Sequence, residues 1–179
     1  MLAATLLLPS YAAAGPARDR PSTAASINRD WQSRAGHAVL RRLAGREPVR
    51  LAQAVAARYW GAAPCGGHTV VMTNMPLPAG LEPDTDAWVT FDSSLGVNDL
   101  QAPATTYTQC VISVARWQWP TRRSMANDWN MFCLTMIHET GHLLGHAHSS
   151  TPGSVMAPVF TAASPIPTLC RTARPRTVG

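Results

Sequence analysis

The 179 residues of this chain, 19.2 kDa, suffice for one compact domain with a buried core and are too few for two ordinary domains. Hydrophobic residues make up 46% and charged residues 14%, which excludes a solvated, disordered chain. All 15 basic residues are arginines, and most of the net charge of +5 comes from an alanine-rich flank up to residue 58 and a proline-rich tail after residue 170. Because neither stretch interleaves its arginines with aromatic residues, we expect no nucleic-acid partner.

The amino-terminal stretch resembles a secretory signal. An apolar run over Leu2–Leu8 is followed by the sequence AAAG at residues 12–15, a small-residue type of cleavage site. The run is short and no basic residue precedes it, so an ordinary amino-terminal helix is the alternative. We expect residues 1–14 to be a signal peptide, truncated at its start, and the protein to be secreted. No stretch reaches the roughly 20 apolar residues of a membrane-spanning helix, so no membrane span is expected.

A first packed helix is predicted after a leader. Residues 15–47 are rich in Ala, Arg, Ser and Pro, and they predict a flexible leader or short pro-segment. From Pro48, apolar residues recur at helical spacing up to Gly61, which is typical of a helix with one face on a core. These residues are Val49, Leu51, Ala52, Val55, Ala56 and Tyr59.

Three strands are predicted in the middle of the chain. His68–Met72 and Trp88–Phe91 are short β-branched or aromatic runs, and Gln109–Ala115 is a third run of this kind. Between the last two, Asp92–Thr106 is rich in Ser, Gly, Asn, Asp and Pro, which predicts a loop.

The longest helix is predicted over Asp128–Leu144, a stretch without proline. Asn127 or Asp128 is expected to cap its start, and Gly145 is expected to end it. Beyond Ser149 the sequence is rich in Pro, Ser and Thr and predicts no second strong helix.

The four cysteines are widely spaced and include no C-x-x-C pair; they are Cys65, Cys110, Cys133 and Cys170. In an exported protein this pattern favours two disulfides over a cysteine zinc site. Three pairings are open. We favour Cys65–Cys110, which would join two strand-like segments, and Cys133–Cys170, which would tie the tail to the long helix.

The stretch HETGHLLGHAH, residues 138–148, contains four of the six histidines. On a helix, His138 and His142 lie one turn apart on one face, so both can reach one cation. Gly145 can adopt a positive φ, which lets the chain leave the helix and return His148 to the same cation.

Three neutral imidazoles that leave one position open form the ligand set of a catalytic zinc, whereas a structural zinc usually has four protein ligands. Glu139 follows the first ligand, where its carboxylate can take a proton from a zinc-activated water. His146 is expected to point elsewhere, as a surface residue. The competing interpretations are a histidine-rich helix end without metal and a metal site without catalysis. The full H-E-x-x-H-x-x-G-x-x-H spacing favours the catalytic zinc, since it arises by chance in roughly one such chain in 10⁵.

This motif resembles that of the metzincin clan of zinc endopeptidases, which also has a Met-turn. Met156, eight residues beyond His148, stands where the clan has the methionine that underlies its zinc ligands. The resemblance is specific over residues 128–160 and only topological over residues 48–119.

Within the clan, the resemblance is to the matrixin family. Ser149 follows the third histidine, as in matrixins, and Pro158 and Phe160 stand where matrixins line the pocket for the side chain after the scissile bond. The resemblance implies that Val155, Pro158 and Phe160 shape an apolar pocket in this chain. A hydrophobic residue is therefore expected just after the cut.

The chain also departs from the matrixin pattern. Ligands for the second zinc and the calcium sites of that family are not recognisable, so we predict one zinc and leave calcium open. Pro64-Cys65-Gly66 matches the family's inhibitory cysteine switch only in part, and a disulfide role for Cys65 is favoured. The carboxy-terminal helix of the family is shortened here to a proline-containing tail.

The expected fold is α+β and metzincin-like, with a small twisted sheet packed on a long active-site helix that a Met-turn follows. Residues 48–170 would form the catalytic domain and residues 171–179 a basic tail. The resemblance implies a secreted zinc endopeptidase for protein or peptide substrates, with one zinc bound by His138, His142 and His148. No feature indicates an oligomer, so a monomer is expected.

Two other functions are open at this point. One is a catalytically silent extracellular zinc-binding module that holds a protein or cell-surface ligand, although such a module has no need of Glu139. The other is a zymogen in which residues 15–46 block the cleft.

Overall fold

The structure, a computed structural model, describes residues 47–91 and 110–175. The expected signal peptide, all of the expected leader except Glu47, the Asp92–Thr106 loop and the last four residues of the tail lie outside the described residues. Within the described ranges, no helix is long and apolar enough to cross a membrane.

The first helix, α1, spans Pro48–Trp60, as its apolar spacing predicts. The Glu47 carboxylate accepts hydrogen bonds from the first free backbone N–H groups, those of Val49 and Arg50, at 3.2 Å each. Gly61 ends the helix. Leu51, Ala52, Val55 and Ala56 are buried, so the predicted stripe is the face that packs on the core.

Three strands form one mixed sheet with the order β1-β3-β2, where β1 is Thr69–Met75, β2 is Ala87–Phe91 and β3 is Cys110–Ala115. All three lie where the sequence predicts strands. β1 runs parallel to β3, and β2 runs antiparallel to it with Ala87 opposite Val114. β3 is therefore the central strand, which explains why five of its six residues are buried.

A short helix, α2, spans Arg122–Asn127 and was not predicted; a reciprocal pair of hydrogen bonds between Thr121 and Ser124 caps its start. The long helix α3 spans Trp129–Leu143. Asp128 precedes α3 but does not cap it through its side chain, because its carboxylate accepts a hydrogen bond from Trp119 Nε1 at 3.1 Å. A one-turn helix, α4, spans Thr168–Thr172.

The core lies where α1 and α3 pack on each other and α3 packs against β2 and β3. α3 is buried along almost its whole length, from Phe132 to Leu143. The fold of the described residues is thus α+β, with a helix that carries polar groups passing through the middle of the domain.

Two disulfides cross-link this core, Cys65–Cys110 and Cys133–Cys170. The first joins the turn before β1 to the start of β3, with 6.0 Å between the Cα atoms. The second joins α3 to α4, with 5.7 Å between the Cα atoms. Because Cys65 is bonded to Cys110, its thiol is not free to act as a cysteine switch.

Candidate metal centre

Helix α3 places two histidines and one carboxylate in the interior of the domain. His138, Glu139 and His142 are only 6%, 5% and 8% exposed. The four-residue spacing places the two imidazoles on one face, edge to face, with 4.5 Å between their ring centroids. A polar cluster at this depth has an energetic cost, which the fold tolerates when a ligand or a hydrogen-bond partner compensates for it.

The third histidine arrives after the helix ends. Gly145 has a φ of 87°, a left-handed conformation that side chains with a Cβ resist. Its N–H donates to His142 O at 2.9 Å, and the chain then turns back toward the helix. His142 Nε2 lies 2.9 Å from His138 Nε2 and 3.2 Å from His148 Nε2.

The hydrogen bonds of the other ring nitrogens determine which lone pairs converge. His138 Nδ1 donates to Val155 O at 2.9 Å, and His142 Nδ1 donates to His146 O at 2.8 Å. A carbonyl oxygen can only accept, so both imidazoles carry their proton on Nδ1 and present a bare Nε2. Two bare nitrogens at 2.9 Å repel each other unless a cation lies between them.

This donor set fits zinc. Three imidazole nitrogens, all within 4.8 Å of one another, come together in the described part of the chain at His138, His142 and His148. Nitrogens bound tetrahedrally at about 2.0–2.1 Å would lie about 3.3 Å apart, close to the 2.9 and 3.2 Å that separate His142 Nε2 from the other two Nε2 atoms. The Nδ1–H donations to backbone carbonyls are the outer contacts that metal-binding histidines commonly make.

Burial keeps the helical imidazoles neutral. Desolvation lowers the pKa of His138 to about 4, and the neighbouring histidines add to this effect. Desolvation also lowers the pKa of His142. Both rings are therefore unprotonated at neutral pH, the form in which an imidazole binds a metal.

Glu139 lies beside the histidines with its carboxyl group in the interior. Desolvation, with a smaller contribution from Asp86, raises the pKa of Glu139 to about 8. A nearby cation would lower this pKa again, because opposite charge favours the carboxylate.

The segment from Val155 to Phe160 lies against the histidines. Ser149 N donates to Met156 O at 2.8 Å, which joins the end of the histidine stretch to this segment. Met156 is 5% exposed and packs on α3 at Gly141. A Cβ added to Gly141 would lie 2.5 Å from Met156 Sδ and 2.7 Å from Trp60 Cζ2, so only glycine allows both neighbours this close.

The three residues expected to line a substrate pocket occupy different environments. Val155 binds His138 through its carbonyl, and the Phe160 ring meets the His138 ring edge-on with 5.2 Å between centroids. Pro158 is exposed. Val155 and Phe160 therefore border the histidine cluster, while Pro158 faces solvent beside it.

Two residues near this centre were not found from the sequence. Asp86, just before β2, contributes to the raised pKa of Glu139. Trp60, the last residue of α1, touches α3 at two points. In the sequence, Asp86 was marked only by the pair of aspartates before a predicted strand. Trp60 was marked only by its position beside the apolar stripe of the first helix.

Asp86→Asn is expected to stabilise the folded chain at pH 7.5 and to have no effect near pH 4. Desolvation, then repulsion by Asp128 and Asp84, raises the pKa of Asp86 from 3.8 to about 6. The folded state therefore binds this proton more tightly than the unfolded state, and the cost of ionisation grows as the pH rises from about 4 to about 6. For a half-buried carboxylate screened by water we expect about 1 kcal/mol, a few degrees in Tm.

Thermal unfolding of the metal-free protein at the two pH values measures this effect, with the exposed Glu82→Gln as the control. An equal gain at both pH values would contradict the assignment of the effect to ionisation of Asp86.

Comparison with known proteins adds one match. Residues 84–168 match the protein-family model described as Matrixin. The matched range begins just before β2 and ends at the start of α4, so it contains all three histidines of the cluster. No curated protein and no solved structure gives a significant match to the chain.

Proposed function

We propose that the chain, which matches the Matrixin family model over residues 84–168, is a secreted zinc-dependent endopeptidase of the matrixin-like metzincin type. The observation that carries the proposal is the convergence of three imidazole nitrogens in a domain whose active helix also buries the carboxylate of Glu139. The two disulfides are in keeping with an oxidising, extracellular compartment.

His138, His142 and His148 would hold the zinc ion. A zinc ion with three protein ligands supplies a water that is acidic near neutral pH and an electrophile for a carbonyl oxygen. His138 and His142 contribute neutral rings that are already oriented, since the carbonyls of Val155 and His146 hold their Nδ1–H groups.

Glu139 would act as the base and then as the acid. Its carboxylate oxygen takes a proton from the attacking water and passes that proton to the nitrogen of the leaving amine. The buried position of the carboxyl group supports this role, because it keeps bulk water from competing for the proton.

Strand β2 would bind the substrate backbone. Among the described residues, β2 has a strand partner only on its β3 side, and α3 packs against it. An extended peptide can add to an open edge of this kind through main-chain hydrogen bonds, next to the histidines.

Val155, Pro158 and Phe160 would receive the side chain that follows the cut. Phe160 stands against His138, so an apolar substrate side chain placed beside it would lie next to the metal ligands. The proposal therefore includes a preference for hydrophobic residues at that position.

Metal content and cleavage of a peptide mixture test this function together. We expect one zinc per chain for the oxidised protein, and cleavage before hydrophobic residues that a zinc chelator abolishes and added zinc restores. Absence of bound zinc would overturn the metal site. Cleavage before charged residues would overturn only the assignment of the pocket.

A further inference from the structure

Trp60 connects α1 to the helix that carries the candidate metal ligands. Its Nε1–H donates to Ile137 O at 2.8 Å, the residue just before His138. Its ring edge lies against Gly141, where a Cβ would come within 2.7 Å of Cζ2. These contacts hold the indole along the turn of α3 that lies between His138 and His142.

The same indole reaches beyond the end of the helix. The Trp60 and His146 rings are stacked, with centroids 4.4 Å apart and an angle of 18° between their planes. His146 is an exposed residue that lies outside the cluster of three histidines. Its ring is therefore held on α1 rather than at the candidate metal.

The backbone of His146 makes two hydrogen bonds to α3. Its carbonyl accepts the Nδ1–H of His142 at 2.8 Å, and its N–H donates to Gly141 O at 2.9 Å. The residue thus spans two partners, Trp60 through its ring and a candidate zinc ligand through its carbonyl.

We propose that Trp60 and His146 form a positioning pair, in which the stacked rings hold the His146 carbonyl where it orients the His142 imidazole for zinc. This inference rests on the proposed zinc site and adds two residues to it, neither of them a metal ligand.

The position of His146 after the end of α3 explains why its ring needs a partner. It belongs to the stretch after α3, where Gly145 has already left the helix and the side chains of His146 and Ala147 are exposed. Such a segment has conformational freedom that the stacked rings remove before zinc binds. A ligand whose outer hydrogen bond is preformed loses less entropy on binding, and loss of such partners typically weakens metal affinity 10–100-fold.

Substitution of the His146 ring tests the pair without removing the carbonyl. His146→Ala should raise the zinc dissociation constant about tenfold, measured by competition with a chromophoric chelator. His146→Phe keeps a flat ring for Trp60 and should stay within about threefold of the natural chain. His68→Ala, at an exposed histidine before β1, serves as the matched control and should leave the dissociation constant unchanged.

Trp60→Phe is a second test variant, because it keeps an aromatic ring and removes the donor to Ile137 O. It should weaken zinc binding by less than His146→Ala. The melting temperature of the metal-free His146→Ala protein should change by no more than about 2 °C, which separates positioning from a general loss of stability.

Two results would overturn the inference while leaving the proposed function intact. One is a His146→Ala protein that binds zinc within twofold of the natural chain. The other is equal weakening by Ala and Phe, since ring stacking would then have no part in the effect. A natural chain that binds no zinc would instead overturn the proposed function, and this inference with it.

Discussion

Glu139→Gln is expected to reduce kcat/KM for peptide cleavage by about 10³-fold, within the range that general acid–base groups contribute. The amide has nearly the same shape as the carboxyl group but cannot take the proton of the attacking water. Because His138, His142 and His148 are untouched, zinc affinity should stay within a few-fold of the natural chain. The stability of the metal-free protein should hold or rise, since burial already disfavours the charged carboxylate.

The measurement is cleavage of a quenched peptide beside a zinc titration of the same samples. Glu82→Gln removes an exposed carboxylate and is the matched control, with no effect expected on either quantity. Full cleavage by the Glu139→Gln protein would rule out this residue as the base. Zinc binding without cleavage in either protein would favour the catalytically silent binding module or a chain blocked by its leader, and removal of residues 15–46 would separate those two.

Loss of the Cys133–Cys170 disulfide is expected to cost about 4 kcal/mol of stability. The bond closes a loop with a sequence separation of 37, and the chain-entropy relation gives this figure for a loop of that length. The loop contains all three histidines, Met156 and Phe160, so the unlinked chain would also have more freedom in the segment that lies against the ligands. Replacement of both cysteines by Ala should therefore weaken zinc binding as well as stability.

Removal of the Cys65–Cys110 disulfide is the control, because it opens a loop of similar length. Its sequence separation is 45, so its removal should cost about the same free energy. That loop encloses β1 and β2 and none of the three candidate zinc ligands, so the zinc affinity of the folded protein should change little. Urea unfolding and chelator competition on the two double-alanine variants compare them. An equal loss of zinc affinity in both would contradict a special role for the second loop.

The helices and strands were predictable where the sequence has a strong local pattern. The stripe after Pro48 and the run from Asp128 became α1 and α3 with nearly the expected bounds. The helix α2 was missed because it is only six residues long and its start signal is a Thr121–Ser124 pair, not an apolar stripe. Asn127 or Asp128 was expected to cap α3; Asp128 is its N-cap residue, but the Asp128 side chain binds Trp119, nine residues away, and not the helix backbone.

Part of the candidate site was also predictable from the sequence, and part of it was not. The spacing of His138 and His142 predicts a shared helix face, since a helix repeats every 3.6 residues. The carbonyls that orient the rings belong to Val155 and His146, and the charge that acts on Glu139 belongs to Asp86. None of these partners follows from the motif, because their distances depend on how the chain folds back after it leaves the helix.

By itself, then, the sequence determined the two long helices, the three strands and the histidine motif, because each depends on local periodicity or on residues within one or two turns. The tertiary structure decided the strand order β1-β3-β2, the depth of Glu139 and the seating of Trp60 between α3 and His146. These depend on contacts between residues far apart in the chain, where many arrangements satisfy the same local pattern and only packing of the whole core selects one.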